Sequence, residues 1–349
     1  MWQIVGQNRV LSLFQRSLET GSLAHAYLLI GPPHVGKMTL ALDLAQALNC
    51  EAVEYPCGEC ASCQRIAAAN HADVQVIGVA QNVNSTEAKL ISTDQIEQMQ
   101  HSASLPPFEG KYKVFIIDGA ELLSIEAANR LLKTLEEPVG KVVFVLLTTN
   151  DSLLPTTVVS RCQRLELSPL SAAEVESVLN SQDIEPQRAK LLARIAHGCL
   201  GWALSAAADN SLLRQRDEEI DKLIGIINAD YEERFAYVAG LAAQFTQNRS
   251  GVHKILDLWL DYWRDLLLVK VGCSDIITNI DRLAAIVETA RDYSLVQIKA
   301  FAESLRTAGE QLRQNANPRL ALEVLMLDMP RKEGGSEENL ATNLAVKYG

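Results

Sequence analysis

Long apolar runs are the first thing this chain lacks. No stretch reaches the roughly 18 consecutive apolar residues that a membrane helix needs, so no spanning segment is expected. The opening Met1-Trp2-Gln3-Ile4-Val5-Gly6-Gln7 has no basic cluster followed by an apolar core. That excludes a secretory signal and predicts a cytoplasmic protein with no membrane partner. Positive charge is also short: 32 Lys and Arg against 43 Asp and Glu give a formal net charge of −11. A broad basic face gripping nucleic acid unaided is thereby disfavoured. A local patch stays open, since steering follows the distribution of charge as well as its sum. So does membership of an assembly whose other members supply the positive charge. Internal repeats and low-complexity blocks are missing as well.

What is present suffices for two or three domains with buried cores, at 48% hydrophobic residues over 349 positions. The first half alternates apolar runs with amphipathic segments, the pattern of an α/β domain with a mainly parallel sheet. Strands are predicted at 26–30, 74–77, 113–117, 142–147 and 163–167. Helices are predicted near 38–48, 60–69, 93–102 and 124–137, the last with Leu131, Leu132 and Leu135 at helical spacing and a stop at Pro138. After Pro169 the pattern turns helical, at 172–179, 188–196, 202–208, 212–227, 231–247, 252–271 and 320–329. The expected layout is an α/β domain over 1–168, a small helical lid over 169–208, a helical collar over 209–333 and a polar, flexible tail over 334–349.

An apolar strand followed by Gly31-Pro32-Pro33-His34-Val35-Gly36-Lys37 and a helix is the order a phosphate-binding loop requires. Glycines let successive N–H groups converge on phosphate oxygens, the helix N-terminus adds positive potential, and Lys37 supplies a point charge. A Gly-Pro turn that merely precedes a lysine is the plain alternative. The position after the lysine, where a hydroxyl normally ligates Mg²⁺, holds Met38, whose thioether is a poor ligand for a hard cation. Thr39 comes one residue late, about 100° around the helix. Nucleotide binding, as ATP or ADP, is compatible with this loop, whereas magnesium positioning is weakened.

The run Val114-Phe115-Ile116-Ile117 ends in Asp118, where a carboxylate at the carboxyl end of a parallel strand helps hold Mg²⁺. Gly119 follows, and Glu121, on a chain leaving the strand, is expected to point elsewhere, out of general-base reach. A separate signal is Cys50, Cys57, Cys60 and Cys63, four thiolates within fourteen residues. Two C-x-x-C steps share Cys60, Gly58 eases the turn, and Cys50 closes the set from the preceding helix end. A structural zinc site is expected. A redox dithiol needs only two cysteines, and His71 is superfluous to a complete four-cysteine set.

Taken in order, the phosphate loop, the four-cysteine insertion, Asn129-Arg130-Leu131-Leu132-Lys133-Thr134-Leu135-Glu136-Glu137-Pro138 and Ser160-Arg161-Cys162 resemble the AAA+ subunits of the bacterial DNA polymerase III clamp loader. The stretch 144–162, with Thr148-Thr149-Asn150 and Leu154-Pro155, is similar throughout. The resemblance covers about 1–205 strongly and is architectural beyond. It implies a five-subunit ring that opens a sliding clamp and places it on primer–template DNA, built from AAA+ domain, lid and collar. It also implies that Arg161 is an arginine finger serving a tau/gamma-type neighbour in trans, since a permanently charged guanidinium stabilises charge developing on a transferring phosphoryl group. A salt-bridged surface arginine is the competing reading. Thr149 and Asn150 match the first phosphate sensor of the family, with strand capping as the alternative.

The family's hydrolysing members carry a glutamate after the strand aspartate and a second-sensor arginine on the lid. Here Gly119 and, within Gly198-Cys199-Leu200-Gly201-Trp202-Ala203-Leu204, Gly201 stand at those positions. With Met38, three losses point to the delta-prime type, a subunit not expected to turn over ATP on its own, with delta and tau/gamma subunits as partners. A self-sufficient ATPase of the tau/gamma type is the alternative. A zinc-dependent nucleic-acid-binding regulator is a third, which predicts salt-sensitive DNA binding by the isolated chain. Arg130, Lys133 and Lys141 are expected to be solvated, and Trp259, Tyr262 and Trp263 to be collar core.

Overall fold

The computed structural model describes residues 2–79, 90–137 and 140–331. The helix stop expected at Pro138 and the tail expected at 334–349 lie outside the described residues. The chain divides into two compact units. The first comprises Met1–Val178 with Ala196–Leu204, and the second Leu179–Ile195 with Ser205–Gly349.

The first unit runs α1 (Asn8–Thr20), β1 (Ala26–Ile30), α2 (Lys37–Asn49), α3 (Ala61–Ala67), β2 (Val74–Ile77), α4 (Thr93–Ser104), β3 (Lys113–Asp118), α5 (Ile125–Glu136), β4 (Val142–Thr148), α6 (Thr156–Val159) and β5 (Gln163–Glu166). Most of α7 (Ala172–Asn180) and the start of α9 (Leu200–Ala208) belong to it as well. The five strands pair in parallel in the order β2-β3-β4-β1-β5. Alternation along the strands splits the core into two layers. Tyr27, Leu29, Val114, Ile116, Val143 and Val145 pack with Phe14, Leu40 and Leu44 on one face. Ala26, Leu28, Phe115, Ile117, Phe144 and Leu146 pack with Ile96, Met99, Leu131 and Leu135 on the other. β4, central and covered on both sides, is buried along its whole length, as a strand of a doubly covered parallel sheet must be. Edge strand β5 exposes Gln163, Arg164 and Glu166, and charge there discourages pairing with another chain.

The register sets the site. Ile30 lies opposite Thr148 and Glu166, and Asp118 opposite Leu147. The carboxyl ends of β1, β3 and β4 therefore form one rim, where open parallel sheets place their ligands.

The second unit is helical: α8 (Pro186–Ile195), α10 (Ser211–Asn228), α11 (Tyr231–Gln247), α12 (Arg249–Lys270), α13 (Leu283–Arg291), α14 (Leu295–Arg313) and α15 (Pro318–Asp328). Trp259, Tyr262 and Trp263 are fully buried on α12, as expected of a core stripe. Trp263 packs on Phe301 with ring centroids 4.5 Å apart and on Tyr293 at 5.6 Å. Among the described residues no helix is long and apolar enough to cross a membrane.

Beneath the α12–α13 connection sits a polar knot. The Asp265 carboxylate, with no exposed surface, accepts hydrogen bonds from Thr278 N (2.9 Å), Asn279 N (2.7 Å) and Asn279 Nδ2 (2.7 Å). Arg216 of α10 reaches the same loop, donating to Asn279 Oδ1 at 2.5 Å and to Asp281 at 2.8 and 2.9 Å. Asp265→Asn replaces an acceptor oxygen by an NH₂ that must face N–H donors. We expect it to lower unfolding stability by about 3 kcal/mol, the cost of leaving buried polar groups unmatched. A urea titration checks this; an unchanged midpoint would show that the knot contributes nothing.

Candidate functional site

The phosphate loop leaves β1 at Gly31, whose N–H donates to Thr148 O of β4 (3.2 Å), and enters α2 at Gly36. Gly36 has φ +104°, and a Cβ there would lie 2.3 Å from Ile4 Cδ1, so this turn needs glycine twice over. Ile4 is held in place by Asp43 of α2, a buried carboxylate whose Oδ2 accepts from Gln3 N and Ile4 N, each at 2.9 Å. Lys37 Nζ donates to Gly31 O (2.6 Å) and Pro32 O (2.8 Å), folding the ammonium over the loop's own carbonyls. Burial pulls the Lys37 ammonium below its ordinary pKa, while the negative charges of Glu121 and Asp118 push it back up. Met38 packs partly buried against the core layer of β1 and α2, so its thioether fills space there. Thr39 is half-buried beside it.

Asp118 stands exposed at the end of β3. Glu121 departs from expectation. Gly119 adopts φ +73°, and the 3-10 turn Ala120–Leu122 that follows doubles the chain back over the rim. Glu121 Oε1 therefore accepts from Thr149 Oγ1 (3.0 Å) and Thr149 N (3.4 Å). Its second oxygen, Oε2, is enclosed and has no hydrogen-bond partner. The expectation that this carboxylate points elsewhere is thus overturned: a left-handed glycine turn redirects it to the loop. Asn150 Oδ1 accepts from Ser152 N (3.0 Å), capping the 3-10 turn Asp151–Leu153 and not the strand. Thr149, the other residue of the pair, spends its hydroxyl on Glu121.

Gly201 also earns a physical account. Its N–H donates to His34 O at the crest of the phosphate loop (3.0 Å), and a Cβ there would meet the same oxygen at 2.9 Å. The start of α9 lies against the loop so closely that any side chain at 201 is crowded. An arginine could not be accommodated without moving the loop or the helix.

Arg161 follows α6 at the surface. Nη1 donates to Thr157 O (2.8 Å), and Nη2 pairs with Glu136 at the end of α5 (2.6 Å). Both side chains are substantially exposed, at 35% and 48%, so the pair contributes only about 0–1 kcal/mol and can be exchanged for another anion at little cost. Of the other basic residues, Arg130 pairs with Glu97 on the solvated face of α5, and Lys133 and Lys141 are exposed.

The four cysteines converge. Cys50 caps the end of α2, Cys60 caps the start of α3 and Cys63 lies in its first turn. All four sulfurs lie within 4.8 Å of one another, with Cys57 Sγ and Cys63 Sγ 3.9 Å apart. Tetrahedral zinc with sulfurs at about 2.3 Å requires S···S separations of about 3.8 Å. The N–H groups of Cys60 and Glu59 draw the Cys57 thiol down to about 6, toward the thiolate a metal binds. Burial and the neighbouring sulfurs push Cys63 up to about 12, because several thiolates cannot crowd together without a cation. The donor set fits a closed four-thiolate metal site. His71 stays outside it, with Nε2 3.1 Å from Ser62 Oγ.

Comparison with known proteins adds to this geometry. The family profile described as DNA polymerase III, delta subunit matches residues 6–171, and that of its C-terminal region matches 237–330. DNA polymerase III subunit delta′ of Bacillus subtilis (strain 168) is 30% identical over 322 residues, 92% of this chain and 95% of the relative. DNA polymerase III subunit tau of Escherichia coli (strain K12) is 38% identical over 210 residues, 58% of this chain but 31% of the relative. A solved gamma-subunit-related protein of DNA polymerase III from Thermotoga maritima aligns with a TM-score of 0.46 at 17% identity, covering 91% of this chain and 98% of that one.

Proposed function

Because this chain belongs to the delta-prime family of DNA polymerase III clamp-loader subunits, a component of the replicative holoenzyme with an AAA+ P-loop fold, we propose that it is a non-hydrolysing member of the ring that lends Arg161 to ATP bound by a neighbour. The neighbour is of the tau/gamma type, delta completes a hetero-pentamer, and the assembly loads the sliding clamp onto primer–template DNA. The structural zinc at Cys50, Cys57, Cys60 and Cys63 holds the insertion in shape and takes no part in chemistry.

One observation carries this reading. The chain's own pocket lacks a hydroxyl after Lys37, a glutamate directly after Asp118 and a cation at Gly201, while a weakly held guanidinium stands after α6. Gly31, Gly36 and Lys37 keep a cradle for phosphates, and Asp118 keeps one carboxylate. Met38 offers no oxygen, Gly119 no base and Gly201 no cation. A phosphoryl transition state gains most from preorganised positive charge. Arg161 precedes β5, on the side of the sheet away from the carboxyl-end rim, so on this reading it serves a phosphate outside its own pocket.

The test is reconstitution. The purified chain alone should show no ATP turnover with or without primed DNA, and adding it to a tau/gamma-type partner with delta should raise the partner's turnover. Robust turnover by the isolated chain, abolished by Lys37→Ala, would instead favour the self-sufficient ATPase. That reading draws its support from Glu121, which lies beside Thr149 and acts on Lys37.

A further inference from the structure

The two edges of the sheet are finished differently. β5 exposes Arg164 and Glu166, charges that keep another strand away. β2, the opposite edge, reads Val74-Gln75-Val76-Ile77, with no charge, proline or glycine. We propose that this edge and the cleft beside it form a docking site for an extended peptide of a protein partner. The peptide carries uncharged, apolar side chains at alternate positions and joins the sheet as an added strand.

The ladder determines which backbone groups are on offer. β2 lies parallel to β3 with Val74 opposite Val114, and Val114 N donates to Asp73 O at 2.8 Å. In a parallel ladder alternate residues of a strand bond to the same neighbour. Gln75 and Ile77 therefore face β3 as Asp73 does, and Val74 and Val76 face outward. Val74 N donates to His71 O (3.1 Å) in the turn that enters the strand. Val74 O, Val76 N and Val76 O are left, and none has a hydrogen-bond partner among the described residues. One donor and two acceptors on successive outward positions are what an added strand pairs with.

So short an edge cannot hold a peptide by main-chain bonds alone, and the cleft supplies the rest. Val74 and Val76 share one face of the strand. Beside them lies a cleft of about 400 Å³, lined also by Leu42 of α2 and Ile66 of α3. Val76 is 46% exposed, and among the described residues the lining holds no Lys, Arg, Asp or Glu. A side chain inserted there must be apolar, because a charge would lose its hydration and meet no counter-charge. The walls are fixed: Gln46 Nε2 of α2 donates to Cys63 O (3.0 Å), and buried His71 Nε2 lies 3.1 Å from Ser62 Oγ of α3. The cysteine loop thus carries the helix that walls the cleft.

The occupant is a peptide and not a second copy of this chain. Two β2 strands paired edge to edge would share four residues a side, far short of the roughly 1,200 Å² that a stable interface buries. They would also bring together two chains of net charge −11.

The probe is a synthetic peptide chosen from a phage-displayed library of random linear sequences selected on the full chain. Enriched sequences should show apolar residues at alternate positions. N-methylation of the peptide removes its main-chain donors and should weaken binding at least about ten-fold, with the protein itself unaltered. Val76→Lys puts a charge on the edge and should weaken binding of the unmethylated peptide by a similar factor, with the melting temperature unchanged. Val76→Pro should do the same by deleting the one outward donor, at a place where an edge strand tolerates proline. Binding indifferent to N-methylation would mean docking through side chains only and overturns strand addition. Binding unaffected by Val76→Lys puts the peptide elsewhere and overturns the site, and so does a library that yields no binder. A dimer in equilibrium sedimentation that Val76→Lys dissolves would give the edge to a second copy and overturn the peptide.

Discussion

If Arg161 acts in trans as proposed, Arg161→Ala should lower ATP turnover at the neighbouring site by on the order of 10³-fold, the lower range for an arginine finger, while leaving this chain folded and the complex assembled. Substitution removes only an exposed pair with Glu136 and one bond to Thr157 O, so stability should move by less than about 1 kcal/mol. On that role the effect should fall on kcat, because the guanidinium would meet charge that develops in the transition state. Arg161→Lys should not restore it, since an ammonium lacks the planar fork that spans two phosphoryl oxygens. In a ring with several active pockets, total turnover falls only by the share of the site served, so the cleanest measurement uses a complex in which only the adjacent pocket can hydrolyse. Undiminished turnover by such a complex would leave Arg161 an ordinary surface arginine.

Removing zinc should be the largest structural perturbation available in the first unit. Binding of zinc to small four-ligand modules is worth on the order of 10 kcal/mol at neutral pH. The segment from Cys50 to Cys63 has little apolar packing of its own: Val53 is 94% exposed and Tyr55 37%. On the zinc reading, its order comes from the four thiolate ligands. If even about 3 kcal/mol of the binding energy is coupled to folding of the unit, chelation or Cys60→Ser lowers its melting temperature by about 6–12 °C. Purified protein should carry one zinc per chain. Metal-free protein that melts at the same temperature as the purified chain would rule out the structural role.

The inner strands β1, β3 and β4 were legible because each carries an apolar run closed by a polar or glycine residue. β1 and β2 begin and end where the residues indicate, and β3 and β4 extend one residue further. The helices α1, α13 and α14 were less visible. α1 starts from Gln7 in a left-handed conformation with no side-chain cap, so no boundary signal exists to read. α14 does carry one, the capping box of Ser294 and Gln297, which local inspection could have found. The convergence of the four cysteines was legible from spacing alone, since neighbouring cysteines on one tight loop have few other ways to lie.

Glu121 was not legible. Its distance along the chain from Asp118 suggests divergence, and only the positive φ of Gly119 reveals that the next turn doubles back. The pairing of Arg161 with Glu136 joins two elements 25 positions apart and has no local trace. Gly201 was visible as a missing arginine, but the reason for a glycine lay in its approach to His34 O, a contact across 167 residues of sequence.

The anchoring of Gln3 and Ile4 by Asp43 bears on how the protein should be handled in the laboratory. Ile4 is the underside of the turn at Gly36, so residues 2–4 act as a wedge beneath the phosphate cradle. A purification tag or reporter fused ahead of Trp2 would bear on that wedge and so on the shape of the loop, with no change in the loop's own residues. Fusions for binding measurements are therefore better made elsewhere in the chain.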